Sequence, residues 1–217
     1  MNIKDSLSWA VSQLQQGESP KIDAEFLLCH AIGQNRTYLY TWDNHPLSEL
    51  QLQRFKSLVA RRVQGEPVAH IVGHRDFWTL RLSVNNHTLI PRPDTEILVE
   101  KALECMDSSK NNVLDLGTGT GAIALSIAAE CPWARVLGVD VMPAVIELAI
   151  ENRRLNDITN CDFLVSNWFE QIDKQKFDVI VSNPPYIDAN DPHLEQGDVR
   201  FEPKSALVAD AKGLADI

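Results

Sequence analysis

The tetrapeptide Asn183-Pro184-Pro185-Tyr186 contains residue types that suit chemistry at a planar nitrogen. The Asn183 side-chain oxygen and the Pro184 carbonyl oxygen are two acceptors for the two N–H groups of an amide or aromatic amine. Consecutive prolines fix two φ angles, so these acceptors are held at defined positions. Tyr186 offers a flat face for the planar group. Together these residues can turn a delocalised lone pair towards an electrophile and favour charge build-up in the transition state.

A glycine-rich segment, Asp115-Leu116-Gly117-Thr118-Gly119-Thr120-Gly121, lies between a predicted strand and a predicted helix. Glycines let the backbone approach a ligand closely, and the helix N-terminus favours an anion. The spacing G-x-G-x-G differs from the dinucleotide fingerprint, and the Lys and Ser/Thr of a P-loop are missing. The segment resembles the acid-x-G-x-G-x-G loop of class I methyltransferases, whose anion is the methionyl carboxylate of S-adenosylmethionine.

Two further side chains are expected at the same edge of the sheet. Asp140 ends the strand after the loop, where it either accepts hydrogen bonds from both ribose hydroxyls or caps the next helix. Trp168 follows the third strand and either lies against the adenine or packs in the core. In-line methyl transfer from a sulfonium requires neither a metal nor a strong base, so no metal site is predicted. The predicted cofactor site, with S-adenosylhomocysteine as product, consists of Asp115, Gly117, Thr118, Gly119, Thr120, Gly121, Asp140, Trp168 and Asn183.

The pattern of apolar residues divides the chain into residues 1–72, 73–93 and 94–217. Apolar residues recur at helical spacing from Ile3 to about Val63, with clusters of turn formers between the runs, which predicts a small helical bundle. Alternation from Phe77 to Val84 predicts a β-hairpin, with its turn at Asn85-Asn86-His87. We interpret this hairpin as a linker between two domains.

Strands and helices alternate in the third segment. Asp94 is expected to cap a helix that runs to about Met106. This order predicts a doubly wound α/β domain with a parallel sheet, of the class I, Rossmann-like kind. Because the chain stops soon after the fourth strand, we expect the domain to be C-terminally incomplete. The predicted strands are 113–116, 135–140, 163–165 and 177–181, and the helices between them are 122–129 and 144–154.

The composition limits the possible functions. Hydrophobic residues make up 44% of the chain, which is enough for a core, and the formal net charge of −10 disfavours tight binding to nucleic acid. The sequence shows neither a signal peptide nor a bilayer-spanning stretch. Its four cysteines lack the spacing of a metal site, which favours reduced thiols in a cytoplasmic protein.

Three blocks of sequence together resemble one family. The first contains Gly65–Gly73 (GEPVAHIVG), Phe77-Trp78 and Leu89–Glu96 (LIPRPDTE), and the second is the glycine loop. The third runs from Asn183 to Leu207 and includes Phe201-Glu202-Pro203. Over nearly the whole chain, this combination resembles the bacterial protein-(glutamine-N5) methyltransferases of peptide-chain release factors, the PrmC/HemK family. The first block and F-E-P are far more specific than N-P-P-Y, which many nitrogen methyltransferases share.

The resemblance implies a substrate and a set of roles. The substrate would be the glutamine of the Gly-Gly-Gln motif in release factors, methylated on its side-chain nitrogen, and residues 1–72 would help to bind the release factor. The cofactor would contact Gly117, Gly119, Gly121, Asp140 and Trp168, and the glutamine amide would be held by Asn183, Pro184, Pro185 and Tyr186. We further expect a monomer that acts on neither membrane nor nucleic acid.

Other interpretations of the same residues remain open at this point. A nucleic-acid amino-methyltransferase would use the same N-P-P-Y chemistry, and a cofactor-binding protein without activity would share the loop. A dehydrogenase is disfavoured by the glycine spacing. Arg92, Asp94 and Glu96 either border the cofactor cleft or hold the helix and hairpin in place, and we favour the structural role. His70, His74 and His87 are interpreted as surface or packing residues, and Asn167 stands where relatives often carry Asp.

Overall fold

The computed structural model of this chain describes residues 1–172 and 175–215. The chain divides into two units, Met1–Val72 and Gly73–Ile217. Ile217, where the predicted third segment ends, lies outside the described residues. Within the described parts of the chain, no helix combines the length and the apolar character that crossing a membrane would need.

The first unit is helical, as predicted. Helix caps explain where several of its helices begin and end: Ser48 and Gln51 form a capping box at the fourth helix, and Gly33 ends the second with a φ of 67°. Phe55 and Leu27 are fully buried at the centre of its core. Its α-helices, α1 to α5, are Ile3–Gln13, Pro20–Ile32, Arg36–Thr41, Glu49–Val63 and Val68–Val72.

The second unit begins with an antiparallel hairpin of β1 (His74–Phe77) and β2 (Leu80–Ser83). Phe77 pairs with Leu80, so the hairpin turn is Trp78-Thr79. The chain does turn at Asn86-His87 as predicted, but this turn is not the hairpin turn, so that assignment is wrong. Trp78 adopts a φ of 55°, and its backbone N–H donates to the Glu96 carboxylate at 2.9 Å. A bulky residue rarely takes a positive φ without such outside support, so the local sequence pointed to the asparagines instead.

Parallel strands and helices follow in the predicted order. The strands are β3 (Asn112–Leu116), β4 (Arg135–Asp140), β5 (Cys161–Val165) and β6 (Val179–Ser182), and in the described part of the sheet they lie in the order β5-β4-β3-β6. The helices are α6 (Glu96–Glu104), α7 (Ala122–Glu130), α8 (Pro143–Leu155) and α9 (Asp210–Gly213). Short 3₁₀ helices lie at Pro93–Thr95, Pro192–Glu195, Val199–Phe201 and Lys204–Ala206. The predicted parallel α/β fold is confirmed.

Asp94 does not cap a helix. Pro93 starts the 3₁₀ helix because its ring fixes φ, so Asp94 falls inside that turn, and α6 begins only at Glu96. The residue before α6, Thr95, makes no side-chain capping bond either. The predicted capping role of Asp94 is therefore wrong.

The centre of the parallel sheet explains where a site can form. β3 pairs with both β4 and β6, and from Val113 to Leu116 its residues are buried. The register places Leu116 beside Val139 and Ser182, so the carboxyl ends of neighbouring strands meet at one edge. Loops that leave this edge converge, which is the usual ligand position in such sheets.

Candidate active site

A cavity of about 300 Å³ opens at the carboxyl edge of the parallel sheet. It is lined by nine of the twelve predicted site residues, namely Gly117, Thr118, Gly119, Thr120, Asp140, Trp168, Asn183, Pro184 and Pro185. The glycine loop and the tetrapeptide therefore share one cavity. Asp115, Gly121 and Tyr186 are outside its lining.

The glycine loop is held from several sides. The Thr118 hydroxyl donates to the Asp115 carboxylate at 2.7 Å, and the Gly119 N–H donates to the Asp140 carboxylate at 3.1 Å. Gly121 has a φ of 82°, and a Cβ there would lie 3.0 Å from the Phe163 ring. Both the backbone conformation and the close packing therefore require glycine at position 121. The loop leads directly into α7, whose N-terminus favours an anion.

Asp140 has contacts both at the cavity and at the start of α8, and its contact with the ribose hydroxyls stays a prediction. It lines the cavity, and its other oxygen accepts a hydrogen bond of 3.1 Å from the N–H of Met142, just before α8 begins. Each carboxylate oxygen can accept more than one hydrogen bond. Asp140 can thus shape the start of α8 and still offer acceptors to ribose hydroxyls.

Asp115 lies behind the loop and is fully buried. Burial raises the pKa of Asp115 from 3.8 to about 7, and the charge of Asp140 adds to this, whereas hydrogen bonds from Thr118 and the Ala124 N–H act in the opposite direction. The visible role of Asp115 is to accept the Thr118 hydroxyl. Its predicted contact with the cofactor stays a prediction.

Asp115→Asn is expected to change how stability depends on pH. Between about pH 4 and 7 the native Asp115 holds a proton that the unfolded chain has lost, since its pKa rises from 3.8 to about 7 on folding. Stability from this group therefore falls as the pH rises through that window. Urea unfolding should show the variant gaining at least about 1 kcal/mol relative to wild type across the window. The matched control is Glu151→Gln, which removes an exposed carboxylate on α8 in place of a buried one. A difference between Asp115→Asn and wild type that does not change with pH would contradict the prediction.

Trp168 lies both at the cavity and against the core, and its contact with the adenine stays a prediction. It lines the cavity, and it packs against the buried residues Leu114, Leu116 and Val139. Its backbone carbonyl accepts a hydrogen bond of 2.8 Å from the Ser166 hydroxyl. The ring is thus held from the sheet side while it faces the cavity. Asn167 lines the cavity too, with its amide donating to Glu170 at 2.8 Å.

The tetrapeptide is anchored at both ends. Before it, the Ser182 hydroxyl donates to the Leu116 carbonyl at 2.9 Å, which ties β6 to β3. At its other end, the backbone of Gly213 packs closely against the Tyr186 carbonyl. A Cβ at Gly213, whose φ is 83°, would collide with that oxygen. The Tyr186 side chain is 63% exposed, so its predicted contact with a planar group would have to involve a molecule that approaches from solvent.

Several residues of the cavity were missed by the sequence interpretation. They belong to residues 87–96, which contain the motif I-P-R-P and which we call the I-P-R-P block, to the start of α8 and to the segment after F-E-P. They are His87, Thr88, Leu89, Pro91, Thr95, Met142, Val145, Ser205 and Ala206. The family-specific blocks were the available signal for most of them. Arg92 and Glu96 take the favoured structural role, because Arg92 pairs with Glu202 and Glu96 accepts the Trp78 N–H.

Asn152 on α8 is another residue that the sequence interpretation missed. It is fully buried, and its amide nitrogen donates to the Thr120 carbonyl at 2.9 Å and to the Ser83 carbonyl at 3.1 Å. The Ser83 N–H donates back to its oxygen at 2.7 Å. One turn further along α8, Asn156 bonds the backbone of Arg81 in the same way. Asn152 therefore ties the hairpin to the glycine loop, whereas the hydrogen bonds of the Asn156 side chain go to the hairpin and to the Asn152 carbonyl.

Asn152→Ala is expected to weaken cofactor binding by roughly tenfold, because the buried Thr120 carbonyl loses its donor and the loop loses its support. Titration calorimetry with S-adenosylhomocysteine measures this affinity. Asn156→Ala is the matched control, since it removes hairpin contacts of the same kind without touching the loop. Equal losses in both variants would show that the hairpin, and not the loop contact, matters.

Two family models and several curated proteins match this chain. Residues 5–73 match the family model "PrmC N-terminal domain" and residues 93–201 match "Methyltransferase small domain". The release factor glutamine methyltransferase of Aliivibrio fischeri is 53% identical over 205 residues, which are 94% of this chain and 72% of that protein. The enzyme of the same name from Salmonella typhimurium is 52% identical over 217 residues, covering 100% and 78%. Among solved structures, Pyrococcus abyssi tRNA (uracil-54, C5)-methyltransferase with S-adenosyl-L-homocysteine has a TM-score of 0.44 at 23% identity, covering 51% of this chain and 28% of that one.

The parallel α/β unit, with a glycine loop and an acidic strand end around one cavity, defines an S-adenosylmethionine-dependent methyltransferase of class I. Within that class, the chain belongs to the family of release factor glutamine methyltransferases. The predicted family, the fold class and the enzymatic nature of the protein are thereby confirmed. The glycine loop also fits the cofactor physically, because Gly117 and Gly119 present open backbone and Asp140 presents acceptors at the same cavity.

Proposed function

We propose that this chain methylates the side-chain amide nitrogen of the glutamine in the Gly-Gly-Gln motif of peptide-chain release factors. One observation carries the proposal: the acceptors of the tetrapeptide line the same cavity as the glycine loop and Asp140. The names of the closely similar enzymes from Aliivibrio fischeri and Salmonella typhimurium support release factor glutamine as the substrate. When bound, S-adenosylmethionine supplies a methyl group on a sulfonium.

Different residues of the site would bind different parts of S-adenosylmethionine. The Gly117–Gly121 loop and the N-terminus of α7 would bind the methionyl carboxylate, because the helix dipole favours an anion at this end of the helix. Asp140 would accept hydrogen bonds from the ribose hydroxyls, and Trp168 would lie against the adenine. Asp115 would act through Thr118, which it holds in the loop.

The tetrapeptide would orient the glutamine amide. The Asn183 side-chain oxygen and the Pro184 carbonyl would accept the two N–H hydrogens, so the nitrogen lone pair turns out of the amide plane and towards the methyl donor. Their position in the cavity wall supports this role. The exposed ring of Tyr186 suits a substrate residue that is presented by another protein, since a ring facing solvent is accessible to it.

The two units suggest a division of labour. Residues 1–72 would be the substrate-binding domain, residues 73–93 the linker, and residues 94–217 the methyltransferase domain. The net charge of −10 supports a protein substrate over a nucleic acid. Four free cysteines and a substrate that acts in translation support a cytoplasmic location. We propose that the protein works as a monomer, because the glycine loop, Asp140 and residues of the tetrapeptide line one cavity of a single chain.

The proposed function is tested by incubating the full chain with labelled S-adenosylmethionine and a release factor. A release factor with the motif glutamine changed to alanine is the matched control, and DNA and RNA are offered in parallel. Label is expected only in the intact release factor. Label in nucleic acid would favour the amino-methyltransferase alternative, and equal label in both release factors would exclude this glutamine as the target.

A further inference from the structure

An ion pair between a half-exposed arginine and a buried glutamate joins the two family-specific blocks of the sequence. Arg92 in the I-P-R-P block lies with its Nη2 2.7 Å from Oε1 of Glu202 in the F-E-P block, although the two residues are 110 positions apart. The Glu202 side chain has no exposed surface, and that of Arg92 is 37% exposed. Neither residue belongs to the lining of the cavity. The pair is therefore placed to act on the site through its neighbours.

The environment of Glu202 makes its charge costly. Burial raises the pKa of Glu202 to about 7, and Asp198 adds to this effect, whereas the charge of Arg92 and the N–H of Ile90 lower it. A buried carboxylate without a partner destabilises a fold, and buried pairs seldom add net stability over apolar residues of the same size. The pair is thus better understood as a constraint on geometry than as a source of stability.

Glu202 belongs to the segment that follows the tetrapeptide, Ile187–Ala209, which we call the post-tetrapeptide segment. Two hydrogen bonds hold the two ends of this segment together. The Ile187 N–H donates to the Leu207 carbonyl at 2.9 Å, and the Ala209 N–H donates to the Ile187 carbonyl at 3.1 Å. Ser205 and Ala206 of this segment line the cavity. Because the segment begins directly after Tyr186, its position affects that of the tetrapeptide.

Arg92 belongs to a second segment that contributes to the cavity lining. Its neighbours Pro91 and Thr95 line the cavity, and Pro91 is buried. Prolines on both sides of Arg92 restrict its backbone, so its side chain starts from a stiff support. The ion pair therefore joins two chain segments that each contribute residues to the cavity lining.

We propose that Arg92 and Glu202 are positioning residues that lock the post-tetrapeptide segment to the I-P-R-P block and thereby set the placement of Asn183–Tyr186. This inference rests on the proposed function. The glycine loop and Asp140 are held by other contacts, from Asp115, Asn152 and Met142. Loss of the pair should consequently disturb the amide-holding side of the cavity and leave the cofactor side in place.

Kinetics of Arg92→Met, Glu202→Gln and Arg92→Lys test the inference, with cofactor affinity measured separately by calorimetry. Arg92→Met and Glu202→Gln are expected to lower kcat for the release factor by about tenfold to hundredfold, since small misplacements of reacting groups have effects of this size. Cofactor affinity should change by less than about threefold. Arg92→Lys keeps the charge and should recover part of kcat, although it loses the planar guanidinium.

The matched control is Arg81→Met, which removes the exposed Arg81–Asp76 pair of the hairpin in the same unit and should leave kcat unchanged. An unchanged kcat in folded Arg92→Met, or a parallel loss of kcat and cofactor affinity, would overturn the inference. If Arg92→Met fails to fold, Glu202→Gln and Arg92→Lys carry the same comparison.

Hydrogen exchange gives a readout that does not depend on activity. In Arg92→Met and Glu202→Gln, the amides of Ile187 and Ala209 should exchange faster than in wild type, whereas those of the glycine loop should not. Unchanged exchange at both amides would contradict the proposed lock. If the wild-type chain leaves release factors unmethylated, the proposed function is wrong. The proposed lock is not affected by that result, because hydrogen exchange tests it without an activity assay.

Discussion

Asn183→Ala is expected to reduce methyl transfer to the release factor by at least about 10²–10³-fold, while cofactor affinity falls only modestly. The substitution removes one of the two acceptors that would hold the glutamine amide, so the nitrogen is no longer turned towards the methyl donor. The cofactor retains the glycine loop and Asp140, which are built by other residues. Single-turnover assays with labelled cofactor measure the first effect, and calorimetry measures the second.

Asn167→Ala is the matched control for Asn183→Ala. Both asparagines line the cavity, but Asn167 precedes Trp168 in the chain and does not belong to the tetrapeptide. At saturating cofactor, Asn167→Ala is expected to keep a near-normal rate. Full turnover in Asn183→Ala would refute the amide-orienting role, and a similar rate loss in both variants would show a general effect on the cavity.

Gly138→Ala is expected to damage both stability and cofactor binding. Gly138 lies in β4 between Asp115 on β3 and Phe163 on β5. A Cβ at this position would lie 2.6 Å from the Thr118 hydroxyl oxygen and 2.6 Å from the Phe163 ring, closer than real contacts allow. Overpacking of this kind destabilises a core by about 1–3 kcal/mol. Since Thr118 lines the cavity, its displacement should also lower cofactor affinity by roughly tenfold.

The two consequences of Gly138→Ala can be separated. Adding Phe163→Leu relieves the collision with the ring but not the one with Thr118. We expect the double variant to recover part of the free energy of unfolding in urea, while its affinity for S-adenosylhomocysteine stays reduced. Wild-type affinity in the single variant would show that the loop tolerates the extra methyl group. Recovery of both properties in the double variant would show that the ring, and not Thr118, transmits the effect.

The elements of the fold were largely predictable, because periodicity and turn chemistry are local. Strand and helix bounds in the α/β unit agree with the prediction to within about two residues. The glycine loop was predictable for the same reason, since its spacing sets its conformation within seven consecutive residues. The isolated Gly138 in β4 also indicates that another group packs closely against the strand there. The sequence pattern does not show which residue that group belongs to.

The misses have a common physical origin. The hairpin turn at Trp78-Thr79 depends on Glu96 and Glu130, which accept hydrogen bonds from Trp78. Both glutamates are distant in sequence, so the residues of the turn itself do not predict it. Asp94 does not cap a helix, because the ring of Pro93 fixes the start of a 3₁₀ helix that includes Asp94. In both cases, contacts or constraints outside the expected motif determined the backbone.

By itself, the sequence determined the kind of chemistry, the cofactor loop and the order of the elements, because each depends on residues that are near neighbours in the chain. The tertiary structure decided which of those residues share a cavity. It brought Asn152 to Ser83 across 69 positions and Arg92 to Glu202 across 110. It also left Tyr186 exposed beside the cavity. Such pairings follow from the register of the sheet and the packing of α8 and the post-tetrapeptide segment against it, and no local pattern encodes them.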